Sequence, residues 1–419
     1  MTGNATDSVL TPAVAIIGGG PSGLRAAREL ASRVDGDVVV IERERTAGGI
    51  PRHANHPGYG MRDLGRFMTG PHYARRLVRD AEQAGARILT EHDATGWADD
   101  TGLELTSPQG RRVLRPGALV LATGARERPR PARLIPGDRG AGVYTTGQLQ
   151  QQVHLKHQKV GKHAVIIGAE LVSWSAALTL QEAGCRTELL VTKYPQADSY
   201  RMFDKPGRLL FRTKVAVASR VVSIEGSPRV EAVIVENLIT GRRWRVDCDT
   251  VVFTGDWIPD NELARMADLT IDAASLAPEV DGSLRTSRPG VFAIGNLVHP
   301  VTTADLAALD GRHVVDAVVG HLNGEHPAPG AYSLVAEAPL RWISPSSIRP
   351  GDPAPSRDRL VSWTDELIPS PVVTATQAGR EIGHARTPWP AAPGRAFLIP
   401  AEILRHAQSA EGDVVISVR

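Results

Sequence analysis

Short apolar runs, each broken by a glycine cluster, recur along the chain. Val14-Ala15-Ile16-Ile17 is apolar and β-branched without polar alternation, the pattern of a strand buried on both faces of a parallel sheet. Gly18-Gly19-Gly20-Pro21-Ser22-Gly23 follows at once, and residues 24–34, rich in Ala, Arg and Leu, predict a helix. Asp37-Val38-Val39-Val40-Ile41 predicts a second buried strand, which ends on Glu42. Residues 118–125 read as a strand ending in Ala-Thr-Gly, residues 250–255 read similarly, and residues 290–296 precede a helical run that begins near Thr303. A polar helical stretch over 148–158 leads to a second strand–turn–helix–strand unit. There His163-Ala164-Val165-Ile166-Ile167 is the strand, residues 168–173 the turn, the helix runs through Leu180, and residues 185–191 form the next strand. Past a Pro-rich break at 326–330, residues 331–419 carry short β-like runs and predict a small β-rich module.

The first glycine cluster carries chemistry. G-x-G-x-x-G sits between a strand and a helix, with an acid at Glu42, 24 positions after Gly18. Gly18 makes the tight turn, Gly20 lets the backbone approach a pyrophosphate, and Gly23 allows close helix–strand packing. The helix N-terminus offers unpaired N–H groups and a partial positive charge to phosphate, and Glu42 accepts from the ribose hydroxyls. All these parts in register predict a dinucleotide site.

Composition narrows the class. The 419 residues correspond to roughly three domains. A formal net charge of +2 gives no reason to expect nucleic acid as a partner. The only cysteines, Cys185 and Cys248, lie far apart and outside any C-x-x-C, which excludes a sequence-local redox disulfide, a four-cysteine iron–sulfur cluster and a cysteine-rich zinc site. Two buried small residues are expected instead. The first eleven residues lack a signal-peptide pattern and no run approaches 18 apolar residues, so a cytoplasmic protein without a membrane span is expected.

The order and spacing of residues 14–23, 118–125, 250–255 and 290–296 resemble flavoproteins with two dinucleotide-binding domains, the pyridine nucleotide–disulfide oxidoreductase superfamily, over residues 12–325. The resemblance implies an α/β fold. It has two Rossmann-like βαβ domains, the FAD domain discontinuous (12–125 and 286–325) and an NAD(P)-like domain inserted (126–285), followed by the β-rich C-terminal module (331–419). It implies FAD held by Gly18, Gly20, Ser22, Gly23, Glu42, Gly49, Thr123, Gly124, Gly295, Asn296 and Thr303, with Asn296 standing where the family usually has Asp. The helix beginning near Thr303 would aim its N-terminus at the flavin. His299, Thr302, Thr303 and Asp305 form a cluster beside Asn296 that reads either as flavin and substrate contact or as ordinary N-capping by the Thr303 hydroxyl.

The second unit lacks its glycines. Only Gly168 of the fingerprint remains, and Glu170 stands where the backbone must approach a diphosphate. NAD(P)H is therefore not expected to bind there in the usual way. The loop Pro51-Arg52-His53-Ala54-Asn55-His56-Pro57-Gly58, together with residues 168–173, resembles a narrower group: the flavin α-subunits of opine oxidase, of proline-type amino-acid dehydrogenases and of hydrogen cyanide synthase. Arg52 suits a substrate carboxylate, and His53 or His56 suits proton transfer or orientation of an amine. Equally, Arg52 suits the FAD phosphates, and the histidines suit hydrogen-bonded loop positions. The His-x-x-His pair is a poor metal site, because Pro57 and the glycines break any helix and no third ligand is evident, so no metal is expected. The C-terminal module lacks the cysteines that carry an iron–sulfur cluster in relatives of that group, and Trp342, Trp363 and Trp389 suit either its core, which is favoured, or the anchoring of a partner.

The resulting expectation is an FAD-dependent oxidoreductase that oxidises a C–N bond of a small amine, amino acid or opine-like substrate by hydride transfer to flavin N5. Two other readings stay open: an NAD(P)H-dependent reductase or oxygenase, and an accessory FAD-binding subunit with a partner flavoprotein.

Overall fold

The computed structural model describes residues 9–196, 207, 209–211, 213–300 and 302–419. Among these, the chain divides into two compact units, one of 9–52, 57–125 and 259–419, the other of 53–56 and 126–258.

The first unit is built on a five-stranded parallel sheet in the spatial order Val291–Ala293, Ala118–Leu121, Val14–Ile17, Val38–Ile41, Arg87–Leu89. Its central strand, Val14–Ile17, is fully buried in the core of the unit, which explains the uninterrupted apolar run. The first helix spans Pro21–Ala31 and so starts before the predicted 24–34. Pro21 suits the first turn, where its missing N–H is one the helix would not use. The helix packs against a later one, Ala304–His313, at Gly311, where a Cβ would meet the Ser22 carbonyl oxygen and Arg25.

Residues 259–285 belong to this unit. Leu263, Ala264, Ala267, Leu269, Val280 and Leu284 pack in its core, so the break in the chain falls after Ile258 rather than after residue 285.

The C-terminal module is a β-sandwich with its own apolar core. One sheet has the order Ser347–Ile348, Tyr332–Ala336, Val414–Val418, Val372–Gln377, Arg380–Arg386; the other has Leu340–Ser344, Arg359–Thr364, Phe397–Pro400. Polar bonds tie it to the segment before it. Arg285 reaches Asp352 at 3.0 Å, Arg349 reaches Asp281 at 3.0 Å, and the Ser283 hydroxyl donates to Asp352 at 2.6 Å. Trp342 is buried and Trp363 half-buried, but Trp389 is 67% exposed, because it stands between Pro388 and Pro390 in a loop and not on a strand.

The second unit repeats the parallel pattern in the order Val143–Thr145, Thr250–Phe253, His163–Ile167, Arg186–Val191, Lys214–Ala216, with an antiparallel sheet of Ser219–Glu225, Ala232–Asn237 and Arg243–Asp247. The predicted polar helix over 148–158 is a short helix, Thr146–Gln150, running into a π-helical turn, Gln151–Leu155. Among the described residues no helix is long and apolar enough to cross a membrane.

Cys185 and Cys248 are both free and buried, each in a different apolar cluster of this unit. Burial, with a smaller contribution from Asp249, pushes each thiol up to about 12. A thiol-disulfide reagent at pH 8 should therefore titrate no thiol in the native protein and both in denaturant; fast native reaction of either would contradict their placement.

Candidate nucleotide and substrate site

The turn after Val14–Ile17 is closed by backbone contact. Gly18 has φ +113°, and a Cβ there would collide with the Ala122 carbonyl. A Cβ on Gly23 would strike the Gly18 oxygen, so only glycine lets the helix start this close to the strand. Gly20 differs. A Cβ placed on it would meet no atom within 4 Å, leaving the backbone open at the head of the helix. This is the cradle a phosphate requires.

Glu42 sits beside it, buried. Its Oε2 accepts from Gly19 N–H at 3.0 Å and its Oε1 from Glu44 N–H at 2.8 Å, which fixes the carboxylate while each oxygen keeps a lone pair for a ribose hydroxyl. Burial pushes the Glu42 carboxyl above its usual range, against the pull of those two N–H groups.

Distant segments converge here. Gly48 N–H donates to the Gly19 oxygen at 2.7 Å, and a Cβ on Gly49 would lie 3.0 Å from Gly20 Cα. Gly295, at φ +69°, lies against the Ser22 hydroxyl. Thr123 donates to the Asp260 oxygen at 2.7 Å, and Asp260 N–H donates to the Gly124 oxygen at 2.9 Å. Asn296 is held by Thr302: its amide donates to the Thr302 oxygen at 3.0 Å and its Oδ1 accepts the Thr302 hydroxyl at 2.6 Å. Thr303 is the N-cap residue of Ala304–His313, yet its hydroxyl does not cap the helix. It donates to Asp305 Oδ1 at 2.6 Å, a charge-assisted hydrogen bond to the carboxylate two residues on.

His299 is locked rather than free to act. Its Nε2 pairs with Asp310 Oδ2 at 2.6 Å and its Nδ1 with the Thr302 hydroxyl at 2.9 Å, while Asp310 also accepts Gly295 N–H at 2.9 Å. The His299 charge and these hydrogen bonds hold the buried Asp310 carboxyl below its usual range despite desolvation.

Arg52 and His53 each have hydrogen-bond partners within their own unit. Arg52, in the first unit, donates to the Thr46 oxygen at 2.6 Å and to the Thr46 hydroxyl, with Glu44 at 3.7 Å. His53, in the second unit, is buried with Nδ1 3.2 Å from Gln150 Oε1, and its carbonyl faces His154 Nδ1 at 2.5 Å. His56 is half-buried in the same short segment.

Asp63 and Tyr73 are an addition that spacing did not reveal. The Tyr73 hydroxyl donates to Asp63 Oδ2 at 2.7 Å, and among the described residues Asp63 Oδ1 has no hydrogen-bond partner. Burial, with the charge of Asp305 adding to it against the Tyr73 hydrogen bond, pushes Asp63 up to about 6. Arg62, the preceding residue, binds Asp305 through its backbone N–H at 3.1 Å and its guanidinium at 3.2 Å. The loop carrying Asp63 is thereby fastened to the first turn of Ala304–His313. The available sequence signal was an Arg-Asp pair at 62–63, shortly after the histidine-bearing loop.

The corresponding turn of the second unit is filled from within. The Glu170 carboxylate folds back so that Oε2 accepts Ala169 N–H at 3.0 Å. A Cβ on Gly168 would lie 2.7 Å from Oε2, and one on Gly255 2.9 Å from Oε1.

Residues 12–311 match the pyridine nucleotide-disulphide oxidoreductase family. The chain belongs to that family. As a member it is an FAD-dependent oxidoreductase. It is 27% identical over 293 residues to thioredoxin reductase of Treponema pallidum (strain Nichols), covering 68% of this chain and 88% of that one. It is 26% identical over 331 residues to an opine oxidase subunit of Rhizobium meliloti, covering 71% of this chain and 61% of that one. Thioredoxin reductase of T. acidophilum shares its fold with TM-score 0.63 and 20% identity, over 74% of this oxidoreductase and 98% of that chain.

The Glu42 carboxylate should carry a measurable part of FAD binding. Glu42→Gln should weaken FAD by roughly tenfold to a hundredfold, about 1.5–3 kcal/mol for hydrogen bonds to a charged group. Only the ionised form accepts from both hydroxyls, so wild-type affinity should fall as pH drops through the raised Glu42 range. The variant should lose that pH dependence, as read by fluorescence of released flavin.

Proposed function

We propose that this oxidoreductase takes its electrons from an organic substrate rather than from NAD(P)H, by oxidising a C–N bond in an amine, an amino acid or an opine. The observation that carries this reading is the Glu170 carboxylate in the second turn. The chain supplies its own anion at the head of Leu171–Glu182, and a diphosphate brought there meets a buried like charge. The opine oxidase relatives from Rhizobium meliloti and from Agrobacterium tumefaciens (strain Ach5) support the C–N class.

FAD, when bound, would supply the acceptor for the hydride, which carries the substrate's electron pair. The chain's part is to position the substrate and to move a proton. Asp63 is the base in this proposal: buried, one oxygen held by Tyr73 and the other without a partner, it takes the ammonium proton so that the nitrogen lone pair is available. Tyr73 orients that carboxyl. Arg52, turned onto Thr46 and Glu44, stabilises its own loop, and His56 stays a candidate for orienting the amine. The substrate leaves as an imine that water hydrolyses. The opine oxidase relatives are named as subunits, which supports a partner chain that co-purification at native expression levels would reveal.

Under anaerobic conditions one of a panel of amines, amino acids and opines should bleach the flavin absorbance, while NADH and NADPH should not. Rapid bleaching by NADPH with none by any amine would reverse the assignment in favour of an NAD(P)H-dependent reductase. With a substrate in hand, kcat/KM should rise with pH through about 6 as Asp63 ionises. Asp63→Asn should lower kcat by about 10²–10⁴ and remove that acidic limb. An unchanged pH profile in the variant would exclude Asp63 as the base.

A further inference from the structure

A cavity of about 230 Å³ lies in the first unit between the helix Ala304–His313 and the C-terminal β-sandwich. Its walls are apolar, supplied by Leu284, Leu306, Val361 and Leu398 with several prolines. Its polar floor is the His299–Asp310 pair and Ser356, whose hydroxyl donates to Asp310 Oδ1 at 3.1 Å. Both Asp310 oxygens and both His299 nitrogens are engaged, so the floor asks for no counter-charge.

The rim does. Arg357 and Arg359 both line the cavity and both are exposed. Arg359 donates only to the Asp358 carbonyl, at 2.9 Å, and among the described residues neither arginine forms an ion pair. Arg357 is held at φ +60°, off the strand that follows it. Trp389, 67% exposed, adds a flat aromatic face to the same lining.

An apolar chamber with two unpaired guanidinium groups and an aromatic face at its mouth selects a particular ligand. We propose that this cavity binds a small organic monoanion with an apolar body, of the aryl- or alkylcarboxylate class. The body fills the chamber, the carboxylate meets the guanidinium forks, and an aryl ring lies against Trp389. A cation of the same shape is repelled by the arginines, and an inorganic anion gains nothing from the walls. The site is one side chain from the nucleotide cradle, because Asp310 in its floor also holds Gly295 N–H. Occupation is therefore expected to perturb the bound flavin.

The test uses the full-length FAD-loaded protein, titrated calorimetrically with benzoate, phenylacetate, hexanoate, benzylamine and inorganic phosphate, with the visible flavin spectrum recorded in parallel. At least one of the three carboxylates should saturate at one per chain with a shift in the flavin bands, and benzylamine and phosphate should not. The double variant Arg357→Gln, Arg359→Gln alters only exposed side chains, so it should keep its FAD content and circular dichroism while its carboxylate affinity falls at least tenfold. Trp389→Ala should weaken benzoate more than hexanoate. Absence of saturation by all three carboxylates, equal binding of benzylamine, or undiminished affinity in the double variant would each overturn the proposal.

Discussion

The close backbone contact at Gly18 is the constraint on which the nucleotide-binding part of this molecule rests. The strand Val14–Ile17 must end against the Ala122 carbonyl and the helix Pro21–Ala31 must begin against the Gly18 oxygen, with no side chain between them. That contact leaves the first turn of the helix with free N–H groups and an open approach at Gly20. An N–H array at a helix head is electropositive and needs an anion. In the first unit the turn is left open, with Glu42 braced beside it by Gly19 and Glu44. In the second unit the Glu170 carboxylate folds into the turn onto Ala169 N–H and makes no bond to the first N–H groups of the helix. The two βαβ units thus share an architecture and differ in whether a carboxylate of the chain occupies the turn.

A second dependence runs through Asp310. One buried carboxylate accepts from Gly295 N–H, His299 and the Ser356 hydroxyl, so the cradle, the segment after it and the C-terminal sandwich share one acceptor. The polar clamp of Asp281, Arg285, Arg349 and Asp352 fastens the same sandwich to the segment before the last parallel strand. Buried charges of this kind are tolerated only when fully paired, and loss of one partner strands the others. The C-terminal module is accordingly part of the first unit's electrostatics and not a separate appendage.

The glycine turn, the two parallel-sheet units and the burial of both cysteines were all legible in the chain. The reason is local: strand, turn and helix are contiguous, and the G-x-G-x-x-G spacing follows from the collisions a side chain would meet at Gly18 and Gly23 and from the open backbone at Gly20. Glu170 was legible for the same reason, since it stands at a fixed offset from Gly168. The hydroxyl of Thr303 was not, because whether its oxygen reaches the helix N–H groups depends on the side chain's orientation, which only the folded geometry decides. The limits of the short segment 259–285 and the outward position of Trp389 were hidden likewise, since both depend on which neighbours a segment packs against.

Sequence by itself therefore determined the two strand–turn–helix units and the residues standing in each turn, because these are set by sterics within a few residues. Tertiary structure alone decided that Asp63 is left buried with one oxygen unsatisfied, that Asp310 joins three segments, and that two arginines of the C-terminal sandwich stand at the mouth of an apolar chamber. Those are facts of burial and of charge pairing between residues remote along the chain, and no spacing encodes them.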